Sequence, residues 1–166
     1  MTIFRNFENY KKEIKLASIQ NACVEMELYS IVASLIRESK NKCKLSIRDV
    51  TSRRKTKISK KYYGESGFPD FIVLDQKFEK SEILGCIEIK RPYKVIDEND
   101  SQIIGHLKSF KRVIYTNGIV WLFRGFNDDT SRDIILGTKT KNNEIEWKEQ
   151  KSWDDLLRKI DTLKWY

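Results

Sequence analysis

The chain is poor in cysteine and has no long apolar run. Cys23, Cys43 and Cys86 are odd in number and far apart, which excludes a CxxC zinc pair and an even set of disulfides. No apolar run approaches the roughly 18 residues of a membrane helix, and no N-terminal stretch has the charged-then-apolar layout of a signal peptide. These absences lead us to expect a soluble cytoplasmic protein with no membrane partner.

Several sequence motifs are absent as well. There is no GxxxxGK[ST] phosphate loop, so the chain does not itself supply an ATP-driven motor. No helix-turn-helix or zinc-finger spacing indicates sequence-specific readout of bases. Internal repeats and low-complexity linkers are also missing, so residues 1–166 are expected to form one domain.

What the chain does have is positive charge together with enough apolar residues for a core. Lys and Arg number 32 against 24 Asp and Glu, which gives a formal net charge of +8. Hydrophobic residues make up 40% of the chain and argue against disorder. The charge favours an anionic partner, of which nucleic acid is the commonest.

Hydrophobic periodicity predicts helices alternating with strands. A helix with one buried stripe is predicted over residues 21–39 from Val24, Leu28, Ile31, Val32, Leu35 and Ile36. Between two β-rich runs, Asn117 and Gly118 predict a hairpin with a two-residue type I′ turn. The other predicted elements are strands at 44–50, 71–75, 83–91, 132–138 and 144–149, and helices at 99–112 (with Asp100 or Ser101 as N-cap) and 153–163.

This order of elements predicts an α/β fold with a mixed central sheet flanked by helices. An N-terminal helical region is expected over about residues 1–40, a core over about 41–140, and a C-terminal helix over about 153–164.

One group of charged residues stands at the ends of two apolar runs. If residues 71–75 and 83–91 pair antiparallel around a loop centred near residue 79, paired residue numbers sum to about 158. Asp70 then lies opposite Glu88, to within one or two residues. Glu88 and Lys90, two apart on a strand, share one face. The pattern therefore predicts that two acids and a lysine converge at one end of a hairpin.

Such a cluster is suited to a hard divalent cation. Two neighbouring carboxylates repel each other, a nearby lysine relieves this only partly, and Mg²⁺ binds one or two carboxylates and several waters. The carbonyl of Ile89 is a reasonable further oxygen ligand, and Mn²⁺ is an expected substitute for Mg²⁺. The alternative is a surface ion-pair cluster at a sheet edge without catalytic role.

The segments "GFPDFIVLD" and "GCIEIKRP", a helix with Gln102, and "VIYTNGIVWLF" follow in an order that resembles the PD-(D/E)XK nuclease superfamily. The chain looks most like the N-terminal nuclease domain of type I restriction enzyme R subunits and its stand-alone relatives. The resemblance implies a restriction-endonuclease-like fold. It also implies that Asp70 and Glu88 are metal ligands, that Lys90 is the catalytic lysine, and that Gln102 lies near the metal or the DNA backbone.

Two positions depart from the pattern or leave it open. The family's helix often carries Gln-x-x-x-Tyr, whereas this chain has His106 four residues after Gln102. His106 either faces the cleft and touches a phosphate or is an ordinary buried or surface histidine. Many relatives also use an acid of the first helix at the metal, and here Glu25 is preferred over Glu27 from its position at the edge of the buried stripe. A solvent-facing glutamate is the alternative for that position.

A basic segment precedes the predicted site. It leads into Tyr62 and Tyr63, which are suited to stacking on a splayed base. Lys94 extends the basic patch beyond the second strand. The alternative is a solvated basic loop without a binding role. The residues predicted to contact nucleic acid are Arg53, Arg54, Lys55, Lys57, Lys60, Lys61, Arg91, Gln102 and His106.

These features lead to one main functional hypothesis and two others. The main one is a Mg²⁺-dependent endonuclease acting on DNA, alone, as a homodimer or beside a partner chain. The second is a nuclease fold that binds nucleic acid or protein without cutting. The third is an RNA nuclease, because the cation chemistry acts on the phosphate of either nucleic acid.

Overall fold

The computed structural model describes residues 3–22, 24–41, 44–51, 56–127 and 133–166. The helices are α1 (Phe7–Gln20), α2 (Glu27–Arg37), α3 (Ser101–Phe110) and α4 (Gln150–Thr162), with short 3₁₀ turns at Ile3–Arg5 and Ser59–Tyr62. The strands are β1 (Leu45–Asp49), β2 (Phe71–Asp75), β3 (Ile83–Ile89), β4 (Val113–Thr116), β5 (Val120–Arg124), β6 (Ile134–Ile135), β7 (Gly137–Lys139) and β8 (Ile145–Trp147).

Strands β1 to β6 form one mixed sheet in sequence order. Neighbours pair antiparallel except β3 and β4, which are parallel and joined by α3. A parallel pair needs such a crossover connection, whereas the other neighbours are joined by shorter links. Strands β7 and β8 form a separate hairpin. The mixed α/β fold expected from the sequence, with a central sheet flanked by helices, is confirmed.

Helices cover both faces of this sheet. Ile87 and Ile89 of β3 face a large core that also contains the apolar sides of α1, α2 and α4. Cys86, next to Ile87 in the strand, faces the opposite side together with Ile103 and Phe110 of α3. Alternate residues of β3 therefore reach opposite layers, so that strand is buried on both faces. Cys86 is buried and unpaired, while Cys23 and Cys43 lie outside the described residues.

The predicted first helix is wrong at its start. α2 begins at Glu27 rather than near residue 21, and Val24 is 42% exposed instead of lying in the buried stripe. The physical reason is a break at Ala22, whose φ of 48° is left-handed and ends the helical path after α1. The expected N-terminal helical region, over about residues 1–40, also contains α1, for which no bounds were predicted and which is capped by the side chain of Asn6.

The β4–β5 hairpin is confirmed, but its predicted type I′ turn is wrong. Asn117 and Val120 bracket the turn through a hydrogen bond from the Asn117 N–H to the Val120 carbonyl. The central residues are therefore Gly118 and Ile119, and only Gly118 has a positive φ, 81°. A type I′ turn requires positive φ at both central residues, whereas positive φ at the first alone is the pattern of type II′.

The C-terminal elements follow the prediction with shifted bounds. α4 begins at Gln150, three residues before the predicted start, and the segments at 132–138 and 144–149 contribute β6, β7 and β8. Among the described residues, no helix combines the length and apolarity needed to span a bilayer.

Candidate functional site

The hairpin of β2 and β3 has the register that the sequence predicted. Phe71 pairs with Ile87, so their numbers sum to 158, and a bulge follows only near the far end of the hairpin. Asp70 stands directly before β2 and is turned back onto β3, where its Oδ2 atom accepts a hydrogen bond from the main-chain N–H of Ile89 at 2.7 Å. The acid of the Pro-Asp pair is thereby fixed to the strand that carries Glu88.

Glu88 and Lys90 lie next to Asp70 and are withdrawn from solvent. The exposed fractions of Asp70, Glu88 and Lys90 are 5%, 3% and 8%. Lys90 Nζ donates to Glu88 Oε1 at 2.6 Å, and Gln102 Nε2 donates to the same oxygen, also at 2.6 Å. Charged side chains are seldom buried to this degree without a partner. The alternative of an exposed ion-pair cluster at a sheet edge does not fit this burial.

The start of α3 is positioned by a second acid that the sequence analysis considered only as a cap. Asp100 is the N-cap, and its Oδ1 accepts from the N–H of Gln102 at 2.9 Å. Its Oδ2 accepts from the hydroxyl of Tyr115 at 2.9 Å. Burial alone would raise the pKa of Asp100, but these two donors and the charge of Lys94 hold it below its ordinary value. The cap thus fixes Gln102 toward Glu88.

The second oxygen of Glu88 lies against a buried histidine. Glu88 Oε2 is 3.2 Å from His106 Nε2, but neither atom takes part in an aligned hydrogen bond. His106 is 0% exposed, so the prediction that it contacts nucleic acid is corrected: the side chain points at β3 and not at solvent. The reason is its place on α3, three residues after Ile103 and four before Phe110, on the face that packs against the sheet.

Tyr29 of α2 links Asp70 to Glu25 and was missed by the sequence analysis. Its hydroxyl donates to Asp70 Oδ1 and lies 3.5 Å from Glu25 Oε1. Burial and the neighbouring carboxylates raise the pKa of Tyr29. Glu25 is half-buried in the turn before α2, whereas Glu27 is exposed and bonded to Asn21. Of the two candidate acids, Glu25 is therefore the one that lies beside the site.

The two central carboxylates are in electrostatic conflict. Burial and the negative charge of Glu88 raise the pKa of Asp70 to about 6, against the lowering effect of hydrogen bonds from Tyr29 and Ile89. Lys90 neutralises only one of the two charges. The site therefore holds more negative charge than its own lysine balances.

The oxygens fit a hard divalent cation better than a soft one. Asp70 and Glu88 supply carboxylates, and the buried Oε2 of Glu88 has no hydrogen-bond donor, as expected of an atom with an absent partner. Within the described residues, no three His, Cys, Asp or Glu side chains are placed to hold a metal together. A cation here would thus be held by the carboxylates of Asp70 and Glu88 and by water, with the carbonyl of Ile89 as the further ligand expected from the sequence. Glu25 stands farther out, beyond the hydroxyl of Tyr29.

The described part of the predicted nucleic-acid interface is exposed. Lys57, Lys60, Lys61 and Arg91 have solvent-exposed side chains. Tyr62 is half-buried under Lys61, and Tyr63 is 64% exposed with its ring against Phe68. Arg53, Arg54 and Lys55 lie outside the described residues. The segment after the basic residues is held on α3, because the N–H of Glu65 donates to Ser109 and the hydroxyl of Ser66 donates to the carbonyl of Ser101.

The fold is similar to part of a chain in a solved nucleic-acid complex. The match is to the cryo-electron microscopy structure of a DrdV–DNA complex, with a TM-score of 0.58 and 11% sequence identity. It covers 95% of this chain but only 14% of that chain. The likeness shows a shared fold. No protein-family model matches the chain, and no curated protein matches it either.

Proposed function

We propose that the protein is a Mg²⁺-dependent nuclease that hydrolyses phosphodiester bonds in DNA. The observation that carries the proposal is the burial of Asp70, Glu88 and Lys90 together at one end of β2 and β3, with Glu88 Oε2 lacking a hydrogen-bond donor. A cluster kept only for stability has no need of a raised carboxylate pKa or of a buried carboxylate oxygen without an aligned hydrogen-bond donor.

Each residue has a role that follows from its position. Asp70 and Glu88 would hold the cation, with the carbonyl of Ile89, while Tyr29 and Gln102 orient the two carboxylates. When bound, Mg²⁺ polarises the phosphate and lowers the pKa of a coordinated water. In hydrolysis the water oxygen bonds to phosphorus as the bond to the ester oxygen breaks; the water gives a proton to solvent, and the departing ester oxygen takes one from solvent. Lys90 would stabilise the negative charge that builds on the phosphate oxygens.

DNA is the favoured substrate for two reasons. The net charge of +8 and the exposed lysines near the site suit a polyanion. The matched part of the DrdV–DNA complex has the same fold in a protein bound to DNA. A homodimer would place two sites on opposite strands, and it stays a prediction.

The proposal is tested by cleavage of duplex DNA, single-stranded DNA and RNA in Mg²⁺, Mn²⁺ or EDTA. Asp70→Asn and Lys90→Met keep the shape of each side chain, and Lys80→Met changes an exposed lysine at the far end of the hairpin as a control. We expect cutting to require the cation and to fall at least about 100-fold in both site variants, since one lost electrostatic contact to the transition state costs that much. Circular dichroism verifies folding.

Three results would redirect the proposal. Cutting that survives either site substitution would contradict the assigned residues. Binding of DNA without cutting under any cation would identify a binding module on a nuclease fold. Cutting of RNA alone would identify a ribonuclease.

A further inference from the structure

A groove with more lysines than acids lies between α1 and the β7–β8 hairpin. It has a volume of about 590 Å³. Lys11, Lys12 and Lys15 of α1 form one wall, Trp147 of β8 contributes to the other, and Tyr93, from the segment that follows β3, also lines the groove. Tyr93 is only three residues beyond Lys90, so one lining residue of the groove is close in the chain to the proposed catalytic lysine.

The β4–β5 turn holds the groove and the site in a fixed relation. Asn117 Nδ2 donates to the carbonyl of Lys94 at 2.8 Å, which ties down the segment that follows β3. Tyr10 of α1 donates from its hydroxyl to the carbonyl of Gly118. The N–H of Lys90 donates to the carbonyl of Thr116 at 2.8 Å. One turn therefore anchors the wall of the groove, the segment that follows β3 and the catalytic lysine.

The groove carries more positive than negative side chains, and some of its lysines form no ion pair with a described carboxylate. Lys12 and Lys15 are exposed, and neither has a carboxylate oxygen within 4.0 Å among the described residues. Lys139 lies over the ring of Tyr93, 5.3 Å from its centre, and adds a further cation at the rim. Two acids also line the groove, Glu8 and Glu144, and Glu8 is engaged by Lys11 at 2.6 Å. Lys12 and Lys15 are three residues apart on α1, so their ammonium groups are about one helical turn apart and can contact successive phosphates of one strand.

We propose that this groove binds the phosphate backbone of duplex DNA on one side of the scissile phosphate, an inference that rests on the nuclease function proposed above. Lys12 and Lys15 contact the phosphates, and Tyr93 with Lys139 guides the strand from Lys90 into the groove. Binding at the groove is electrostatic and independent of base sequence.

The test is the salt dependence of DNA binding in EDTA, where no cleavage takes place. Wild type, Lys12→Gln/Lys15→Gln and a control pair, Lys44→Gln/Lys80→Gln, are compared by fluorescence anisotropy on a labelled duplex and a single strand. The control lysines are exposed and lie at the opposite end of the sheet, where Leu45 pairs with Asp75. Both double variants lose two positive charges, so a difference between them reports where the lysines lie and not the net charge of the protein.

For two lost phosphate contacts, the slope of log affinity against log salt should fall in magnitude by about 1.8 on the duplex. The loss of affinity between about 50 and 200 mM salt then becomes about 12-fold smaller than in wild type. The control pair should change the slope far less. An unchanged slope in the groove variant, an equal change in the control, or an effect on the single strand alone would overturn the assignment.

Cleavage measured separately keeps this proposal apart from the nuclease proposal. If the protein cuts DNA but the groove variant binds with the wild-type slope, only the groove assignment fails. If the groove variant loses slope but the wild-type protein never cuts, the binding groove stands and the nuclease function fails.

Discussion

Replacing Asp70 by asparagine should stabilise the metal-free protein, because it removes a buried negative charge that destabilises the folded state. The pKa of Asp70 is about 6, raised mainly by burial and by the charge of Glu88. Asparagine has nearly the same shape. Its oxygen can accept from the N–H of Ile89, and its amide can donate to the hydroxyl of Tyr29, which now holds Asp70 Oδ1.

The magnitude follows from the pKa. A folded-state pKa of about 6 in place of 3.8 means that the charge of Asp70 lowers the free energy of unfolding at pH 7 by about 3 kcal/mol. Each difference of one in pKa is worth about 1.4 kcal/mol. Because the folded-state pKa lies above the unfolded one, the folded protein binds more protons between about pH 4 and 6. Its stability therefore falls as the pH rises through that window. We expect Asp70→Asn to raise the free energy of unfolding at pH 7 by about 1 to 3 kcal/mol.

The assay is urea unfolding in EDTA at pH 7 and near pH 4, with Asp75→Asn as the matched control at the other end of β2. Burial tends to raise the pKa of Asp75, but the ion pair with Lys77 at 3.1 Å and the N–H of Glu82 lower it overall. Stability from that group is present at neutral pH and is lost as the pH falls. Asp75→Asn should thus destabilise the protein at pH 7, opposite in sign to Asp70→Asn.

Added Mg²⁺ supplies the second half of the experiment. Wild-type protein should gain stability with the logarithm of Mg²⁺ concentration above its dissociation constant, and Asp70→Asn should lose most of that gain. The reasoning is refuted if Asp70→Asn destabilises the metal-free protein at pH 7 as Asp75→Asn does. It is equally refuted if both proteins respond alike to Mg²⁺.

Two smaller changes examine how the site is held. Tyr29→Phe keeps the ring against Phe71 but removes the donor to Asp70, so the pKa of Asp70 should rise. The acid limb of the pH–rate profile for cleavage should move up by about 1 pH unit, and an unmoved limb would exclude this role for Tyr29. Gly105→Ala would place a methyl group 1.9 Å from the hydroxyl of Ser66, and thermal unfolding should show a loss of about 1 to 3 kcal/mol. Ser66→Ala in the same chain should recover part of the loss, and no recovery would mean that the strain lies elsewhere.

The central strands were predictable because the apolar runs in their sequence match their burial in the fold. The apolar runs of β2 and β3 are continuous, bounded by the prolines at 69 and 92, and their pairing follows from the loop between them. α1 fell within the expected N-terminal helical region but its bounds were not predicted, because lysines and glutamates separate its buried residues, Phe7, Tyr10, Ile14 and Ala17. Much of its stability comes from distant partners, such as the stacking of Phe7 on Trp153. No local pattern reports such a contact.

The candidate site shows the same division. The spacing of Glu88 and Lys90 and the hairpin register placed those residues correctly relative to Asp70. The spacing of Ile103, His106 and Phe110 on α3 favours a buried His106, which was one of the alternatives that the sequence left open. Tyr29 had no such signal, because its contact with Asp70 depends on how α2 packs on the sheet. Packing between distant elements is set by the whole core, and one sequence does not reveal it.

The distribution of charge explains why a chain with a net charge of +8 keeps acids at the centre of its proposed site. Asp70 and Glu88, with Glu25 nearby, outnumber Lys90, so a phosphate alone would meet a negative centre. A divalent cation reverses that sign while the surrounding lysines stay unchanged. The lysines near Lys60 and along the groove attract the backbone with or without the cation. In this arrangement the rim supplies affinity for the polyanion, and the buried centre acts on a phosphate only when the cation is bound.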